Sequence, residues 1–502
     1  IGSHKNAKRI QGKHIDFGNQ AILPGFIDAH GHASYLAFAT QVANIASPPV
    51  GKINTIKELQ AKLKKYIKDS NLQPGEWLMG LGYDDSLLEE QRHPTKDDLD
   101  EVSTEHPIYL IHVSAHLGAA NSLGLSLANI NSETQDPPGG RIRRYENSLE
   151  PNGVFEETAA YPLQQLAMSA YKDPIGSVKQ AMNIYARNGI TTAQDGASSP
   201  ETIGLMQAAD AQGMINLDII SYPIGQNGLD QNLDLINFGN YEGRLKIGGI
   251  KLILDGSPQG KTAYLTEPYY KPPHSESDSY KGYPLIPQSE VSKWVKRYAD
   301  LNIPIMAHAN GDAAADMLIE AVKDADITSD HRTIMIHAQT VREDQLDQMK
   351  KLKIIPSYFS THTFYWGDWH RDSVFGEDRA MRISPTKSTL KRKMPFTVHN
   401  DAPVVPPDMI RLLWSTTNRK TRSGKVLGEE QKISTYSALE AMTINAAYQH
   451  FEDDIKGTIE VGKQADLVVL SQDPLSIDTK DILEIEVVAT FSRGQEVFNA
   501  KK

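Results

Sequence analysis

Two histidines one residue apart, His30 and His32, follow a short apolar run at residues 22–27 and the acid Asp28. Residues two apart on an extended chain point the same way, so this pair can aim both imidazoles at one cation; an exposed turn would carry the same letters. His308 ends the run at 303–307 and His337 the run at 333–336, each where a loop begins. One such histidine is more often a hydrogen-bonded rim residue, but two at equivalent positions beside a His-x-His make a converging set. Asp401 closes the run at 396–400, with Pro403 and Pro406 close behind. It reads either as a turn or N-cap acid, or as a carboxylate that touches a metal with one oxygen and takes a proton from water with the other. Lys251 lies inside the apolar run at 247–254. A buried ammonium is costly unless paired or chemically changed. Either it forms a salt bridge to Asp255 or a neighbouring acid, or it reacts with carbon dioxide to give a carbamate whose two oxygens can bridge two cations.

Groups of this kind need a scaffold that gathers strand ends. Apolar runs recur at residues 22–27, 190–194, 215–221, 247–254, 303–307, 332–336, 353–357 and 395–399. Amphipathic helices lie between several of them. Residues 178–188 place Val178, Met182, Ile184 and Tyr185 on one face and stop at Gly189. Residues 289–301 space Val291, Trp294, Val295 and Tyr298 helically, and Asp312 stands as the expected N-cap of a helix over 313–322. Strand–helix alternation predicts a parallel α/β sheet, and eight strands favour a TIM (β/α)8 barrel, whose catalytic groups come from the C-terminal mouth. Two regions break the pattern. Residues from about 46 to 171 read as a large insertion after barrel strand 1, with strand-like runs at 77–81 and 108–113 and a Pro/Gly-rich segment at 136–140. Residues 1–23 and 455–502 read as a small β-sandwich domain formed from both termini, leaving 24–454 as the barrel unit.

At 502 residues the chain suits a barrel with insertions. A formal charge of −11 argues against nucleic acid as a partner. No run approaches the ~18 apolar residues of a membrane span. A small-molecule partner fits these features, and homo-oligomerisation stays open. The absence of cysteine excludes disulfides, thiolate nucleophiles and Cys-based zinc sites, so any metal must be held by carboxylates and by some of the 16 histidines. Cytoplasm and periplasm both suit such a chain, and a signal peptide could precede Ile1.

Taken together, the motifs resemble the amidohydrolase superfamily, and within it the long-insert subgroup that includes the N-substituted formamide deformylases. The matching pieces are Leu23-Pro-Gly-Phe-Ile-Asp-Ala-His-Gly-His32, Ile250-Lys-Leu252, Asp255-Gly-Ser257, His308-Ala-Asn-Gly-Asp312, Ile336-His-Ala-Gln339 and Asn400-Asp-Ala-Pro403. Gly82-Tyr-Asp84 and Gly153-Val-Phe in the insertion match too, as does Gly457-Thr-Ile-Glu-Val-Gly-Lys-Gln-Ala-Asp-Leu-Val-Val469. The resemblance implies that His30 and His32 bind one metal, that His308 and His337 bind another, and that carboxylated Lys251 bridges them. It implies that Asp401 binds metal and acts as general base. One or two divalent ions are expected, zinc first, with iron or manganese equally compatible with nitrogen and oxygen ligands. Relatives often carry an acid and a glycine before the histidine that His116 matches; here the run is Ser114-Ala-His116, so the imidazole is expected in the pocket with a changed orienting partner. Glu157 matches a recurrent acid, either a cap for a helix from Thr158 or a substrate contact.

The expected enzyme cleaves an amide, N-acyl or N-formyl C–N bond with metal-activated water. Ester or lactone hydrolysis on the same site, and a non-catalytic ligand-binding or regulatory protein, are the alternatives. Residues 360–384 hold His362, Phe364, Tyr365, Trp366, Trp369 and His370, which suit an apolar wall for the substrate, with Trp366 and Trp369 as its candidates, or a packed surface loop.

Overall fold

The computed structural model of the protein describes residues 12, 14–168, 171–225, 236–273 and 276–501. The run at 22–27 is not one strand but two, β1 (Ala21–Pro24) and β2 (Phe26–Ile27), which belong to different sheets. Gly25 makes the break. A Cβ there would collide with the Thr191 side chain, so only glycine lets the chain pass this close to the neighbouring strand.

The insertion is a six-stranded mixed sheet. Its strands are β3 (Ala43–Asn44), β4 (Leu78–Tyr83), β5 (Ile108–His112), β6 (Leu117–Ala120), β7 (Gly140–Arg144) and β8 (Pro151–Glu157), in the order β3-β4-β5-β6-β8-β7. β4 and β5 correspond to the two expected runs. The other four are short, or, like β7 with three arginines around a single buried Ile142, carry no apolar alternation to read.

Eight strands carry the chemistry: β2, β9 (Ile190–Ser198), β10 (Asp218–Pro223), β13 (Ile250–Ile253), β14 (Ile305–Ala309), β15 (Ile334–His337), β16 (Ile355–Tyr358) and β17 (Thr397–Val398). The expected strand over 247–254 is divided at Gly248-Gly249, and its first part pairs elsewhere as β12 (Leu245–Ile247), beside β11 (Tyr241–Glu242). The result is two five-stranded sheets, β11-β12-β10-β9-β2 and β13-β14-β15-β16-β17. They meet at two seams without a continuous ladder. At one, Ile224 bridges Lys251 and Gly225 N donates to Lys251 O at 2.9 Å. At the other, His32 N donates to Ala402 O at 2.8 Å and Asp401 N to His30 O at 3.1 Å. This is a TIM-barrel-type α/β fold interrupted where the two arcs join.

Outer helices pack their apolar faces on the sheets, as in Pro174–Arg187, where Val178, Met182 and Tyr185 are buried, and Gln288–Asp300, where Val291, Val295 and Tyr298 are. Asp312 is not the cap expected of it. Gly311 is the N-cap of the helix Asp312–Ala325, and the Asp312 carboxylate instead accepts hydrogen bonds from Thr266 and meets Arg342 NH1 at 3.1 Å.

β18 (Leu467–Leu470), β19 (Val487–Ser492) and β20 (Gln495–Asn499) complete an antiparallel sheet with β1, in the order β1-β18-β19-β20. The described residues give one four-stranded sheet; residues 1–11 and 13, on which the N-terminal part of the expected sandwich falls, lie outside them. An ion cluster, buried except for Arg493, ties this sheet to the barrel. Lys456 Nζ lies 2.7 Å from Asp218 of β10 and 3.2 Å from Glu452, Lys246 of β12 lies 2.7 Å from Glu452, and Arg493, between β19 and β20, lies 2.8 Å from Asp218. No described helix is long and apolar enough to cross a membrane.

Candidate metal centre

The seam between β17 and β2 sets the first half of the site. Backbone bonds there hold Asp401 against His30 and His32, and the ligand atoms of the three lie within 4.8 Å of one another. Asp401 Oδ1 is 3.0 Å from His32 Nε2 and 3.4 Å from His30 Nε2, yet it is buried without a properly aligned hydrogen-bond donor among the described residues. Burial alone would raise the Asp401 carboxyl, but His32 and His30 outweigh it and hold the group well below the usual carboxylate range. The His30 tautomer follows from its other nitrogen. Gln194 donates its Nε2 hydrogen to Ala29 O at 2.7 Å, which turns Gln194 Oε1 toward His30 Nδ1 at 2.6 Å. Nδ1 therefore carries the hydrogen and Nε2 presents a lone pair to the centre, the usual orientation of a ligating histidine.

The second half comes from β14 and β15. His308 Nε2 lies 3.1 Å from Gly256 O, which accepts only, leaving Nδ1 bare. That Nδ1 faces His337 Nε2 at 3.1 Å, while His337 Nδ1 meets His399 Nε2 at 3.2 Å and His399 Nδ1 meets Ser357 Oγ at 2.9 Å. Burial pushes His30, His308 and His337 well below the ordinary histidine range, so each is neutral with a lone pair to offer. Lys251 ends between the two halves, with Nζ 3.3 Å from His30 Nε2. Its expected salt-bridge partner is engaged elsewhere: Asp255 accepts from the backbone N–H groups of Asn310, Gly311 and Tyr264. Burial pulls Lys251 down to about 7. His337 Nε2 also lies 3.9 Å from Asp401 Oδ2, so all six sequence-expected ligands form one contiguous group. Its donors are bare imidazole nitrogens, a carboxylate and an amine deprotonable near neutrality, a set that fits divalent cations.

Three residues here sit in the left-handed backbone region: Glu157 (φ 50°), His337 (φ 70°) and Asp401 (φ 58°). For side chains with a Cβ this costs on the order of 1–3 kcal/mol each and is tolerated where a site fixes the geometry. Glu157 caps no helix. Its Oε2 lies 2.7 Å from His116 Nδ1 and its Oε1 is buried without a partner. Glu157 is thus the orienting partner that the sequence around His116 lacked. Burial would lower His116, but Glu157 overrides it and raises the imidazole above the ordinary value, with its ring 5.1 Å from that of His308.

The two expected tryptophans separate. Trp366 is buried, donates Nε1 to Asp84 Oδ2 at 2.6 Å, and lines a largely apolar cavity of about 280 Å³ together with Leu36, Val113, Tyr365 and Val404. Trp369 does not line it; its Nε1 donates to Gln259 O at 3.1 Å. Neither this cavity nor a larger depression of about 620 Å³ around Tyr270, Lys271 and Arg371 is lined by an expected ligand, although Pro403, two residues after Asp401, borders the first. Asp84, Asp85 and His112 also cluster, but Trp366 and Ser86 occupy Asp84, and His112 lies 3.0 Å from Asp85, so these groups satisfy one another. Sequence reading missed Gln194 and His399, the residues that orient His30 and His337. A polar side chain inside an apolar run, and a histidine two residues before Asp401, were the available signals.

Among proteins of known name, the chain is 28% identical to N-substituted formamide deformylase of Arthrobacter pascens, across 96% of this chain and 89% of that one. Its fold superposes on metal-dependent hydrolases from Pyrococcus horikoshii (TM-score 0.73, 22% identity, 95% of this chain and 91% of that one) and Pyrococcus furiosus (TM-score 0.70, 24% identity, 94% and 92%). The family model described as "Amidohydrolase family" matches residues 13–498. That match takes in both arcs of the barrel, the inserted sheet and the terminal sheet, and so the chain belongs to the amidohydrolase family.

Proposed function

We propose that the protein is a metal-dependent hydrolase that cleaves the C–N bond of a small N-acyl or N-formyl amide, with Asp401 as general base. The observation that carries this reading is the gathering of four imidazoles (His30, His32, His308 and His337), the Asp401 carboxylate and the Lys251 amine into one contiguous group of potential metal ligands. In this reading His30 and His32 would hold one ion and His308 and His337 a second, and Lys251, once carboxylated, would supply an anionic ligand to both. When bound, divalent ions supply a Lewis acid for the amide carbonyl and make water acidic enough to be deprotonated near neutral pH. Zinc is the first candidate, iron and manganese the others. Support for Asp401 as the base comes from its two oxygens, which face the two halves of the site. It takes the proton from water and passes it to the leaving nitrogen, while His116, paired with Glu157, faces the substrate from the insertion. The Trp366-lined cavity takes the apolar part of the substrate. N-substituted formamides are the first compounds to test, since the deformylase relative spans nearly the whole chain.

The test is Asp401→Asn. Asparagine keeps the shape and one ligating oxygen but cannot accept the proton, so kcat on an accepted amide should fall by ~10²–10⁴. Metal content and Tm, measured on the same preparation, should change little. A kcat within a few-fold of the parent would show that Asp401 is not the base.

A further inference from the structure

Among the described residues four lysines are buried: Lys246, Lys251, Lys261 and Lys456. Lys246 and Lys456 each have a carboxylate oxygen at 2.7 Å, and Lys251 lies among the candidate metal ligands. Lys261, nine-tenths buried in the loop after β13, has no carboxylate within ion-pair distance among the described residues. Its Nζ rests over the Trp369 ring, 4.8 Å from the centroid. Asp85, the acid that acts on it most, is already engaged by His112 at 3.0 Å, with His93 at 3.5 Å. Burial lowers Lys261 to about 8; Asp85 acts against this, and Lys271 and Arg143 add to it, so the ammonium is still mostly charged at neutral pH. The stem is covered, but Nζ is not sealed from solvent, so the ammonium can still receive an anion; a cation–π contact gives it less than a paired charge would.

Other unsatisfied polar groups connect Lys261 to the metal centre. Both ring nitrogens of His362 and of His370 are buried without partners, as is Gln259 Oε1. His362 lies within the field of Asp401, His399 and His308 and packs against His370, with ring centroids 5.4 Å apart. His370 directly follows Trp369, the ring beneath Lys261, and Trp369 is hydrogen-bonded to Gln259. The segment His370–Val374 is a π-helix, a distortion often found at functional sites.

We propose that Lys261 is the anchor for a carboxylate carried by the substrate, so that the amide cleaved at the metal centre is an anionic one. His362, His370 and Gln259 would satisfy polar atoms between that carboxylate and the scissile bond. The inference rests on the amide-hydrolase reading for its reaction, but not for its binding site. It accounts for a largely covered lysine whose ammonium has no carboxylate within ion-pair distance among the described residues, and it places attraction for an anion locally in a chain whose net charge is −11.

The experiment uses the metal-loaded protein and two pairs of amides. N-acetylphenylalanine is compared with N-acetylphenethylamine, which lacks the carboxylate on the amine side. Glutaric acid monoanilide is compared with valeranilide, which lacks it on the acyl side. In at least one pair the acid should be preferred by about tenfold or more in kcat/KM, the worth of one charge-assisted hydrogen bond. Lys261→Met should bring that ratio close to one, and Lys261→Arg should retain most of it. The favoured pair tells which side of the amide carries the charge. No preference in either pair, a ratio unchanged by Lys261→Met, or an equal fall for acid and neutral amide would overturn the anchor and leave amide hydrolysis standing. If none of the four is hydrolysed, the reaction assigned above is in doubt for this class, and calorimetric titration of the two acids decides the anchor separately. Binding that Lys261→Met weakens about tenfold or more supports it; no binding, or binding indifferent to the substitution, overturns it.

Discussion

Lys251 is the residue whose burial asks most of its surroundings. Asp255 does not neutralise it, and its proton affinity is lowered to about 7, which leaves a reactive free amine at neutral pH. If it bridges two ions as a carbamate, Lys251→Ala should lose both metal and activity, and added formate or acetate should restore part of each. Metal content by elemental analysis and turnover on the same samples check this; a metal-loaded protein with an unmodified ammonium at 251 would defeat it. The six candidate ligands were legible because each ends, or interrupts, an apolar run. The residues that orient or extend the site were not. Gln194 and His399 act through neighbours on other strands, Glu157 reaches His116 across the inserted sheet, and Lys261 becomes unusual only once no carboxylate is found within ion-pair distance among the described residues.

At the scale of elements, all eight barrel strands lie where apolar runs were read, but two of those runs are divided. Periodicity shows that a segment is buried, not which sheet receives it; Gly25 and Gly248-Gly249 are where the chain changes partners. The strands β6, β7 and β8 escaped because small or charged residues pair there within the insertion. Helix-to-helix ties were equally hidden. Glu343, at the start of the helix Glu343–Lys351, reaches Ser388 at 2.7 Å, Arg382 at 2.8 Å and Arg392 at 2.6 Å across the next connection. Burial alone would raise its carboxyl, but these bonds hold it down at about 2. A folded-state value below the unfolded one stabilises above the unfolded pKa and loses that contribution as pH falls toward the folded pKa. Glu343→Gln should therefore lower Tm near neutral pH, and the gap to the parent should close between about pH 4.5 and about pH 2. Thermal melts across that range decide it; a constant gap would mean that the carboxyl charge is not what matters.

For the whole molecule, buried Lys456, Asp218, Glu452 and Lys246, with the exposed Arg493 at their rim, join barrel strands to the terminal sheet. Removing one partner strands opposite charges without solvent, so Lys456→Met should cost about 3–5 kcal/mol, the usual penalty for breaking a buried pair. Denaturant unfolding would measure it, and a loss under about 1 kcal/mol would class the cluster with surface pairs. The division of residues 21–27 between β1 and β2 has a further consequence, in the order of events during synthesis. β1 pairs with residues 467–470, so its ladder must wait until residue 470 has left the ribosome, long after β1 itself has been made. Pairings this distant in sequence form late. The strand that leads into His30 and His32 thus stays unanchored on one side throughout that interval, and the candidate metal site should mature only after residue 470 has emerged. A chain stopped after Asp466 should accumulate as protease-sensitive, metal-poor material. If it resisted proteolysis and bound metal like the full chain, β1 would need no partner to set the first two ligands in place.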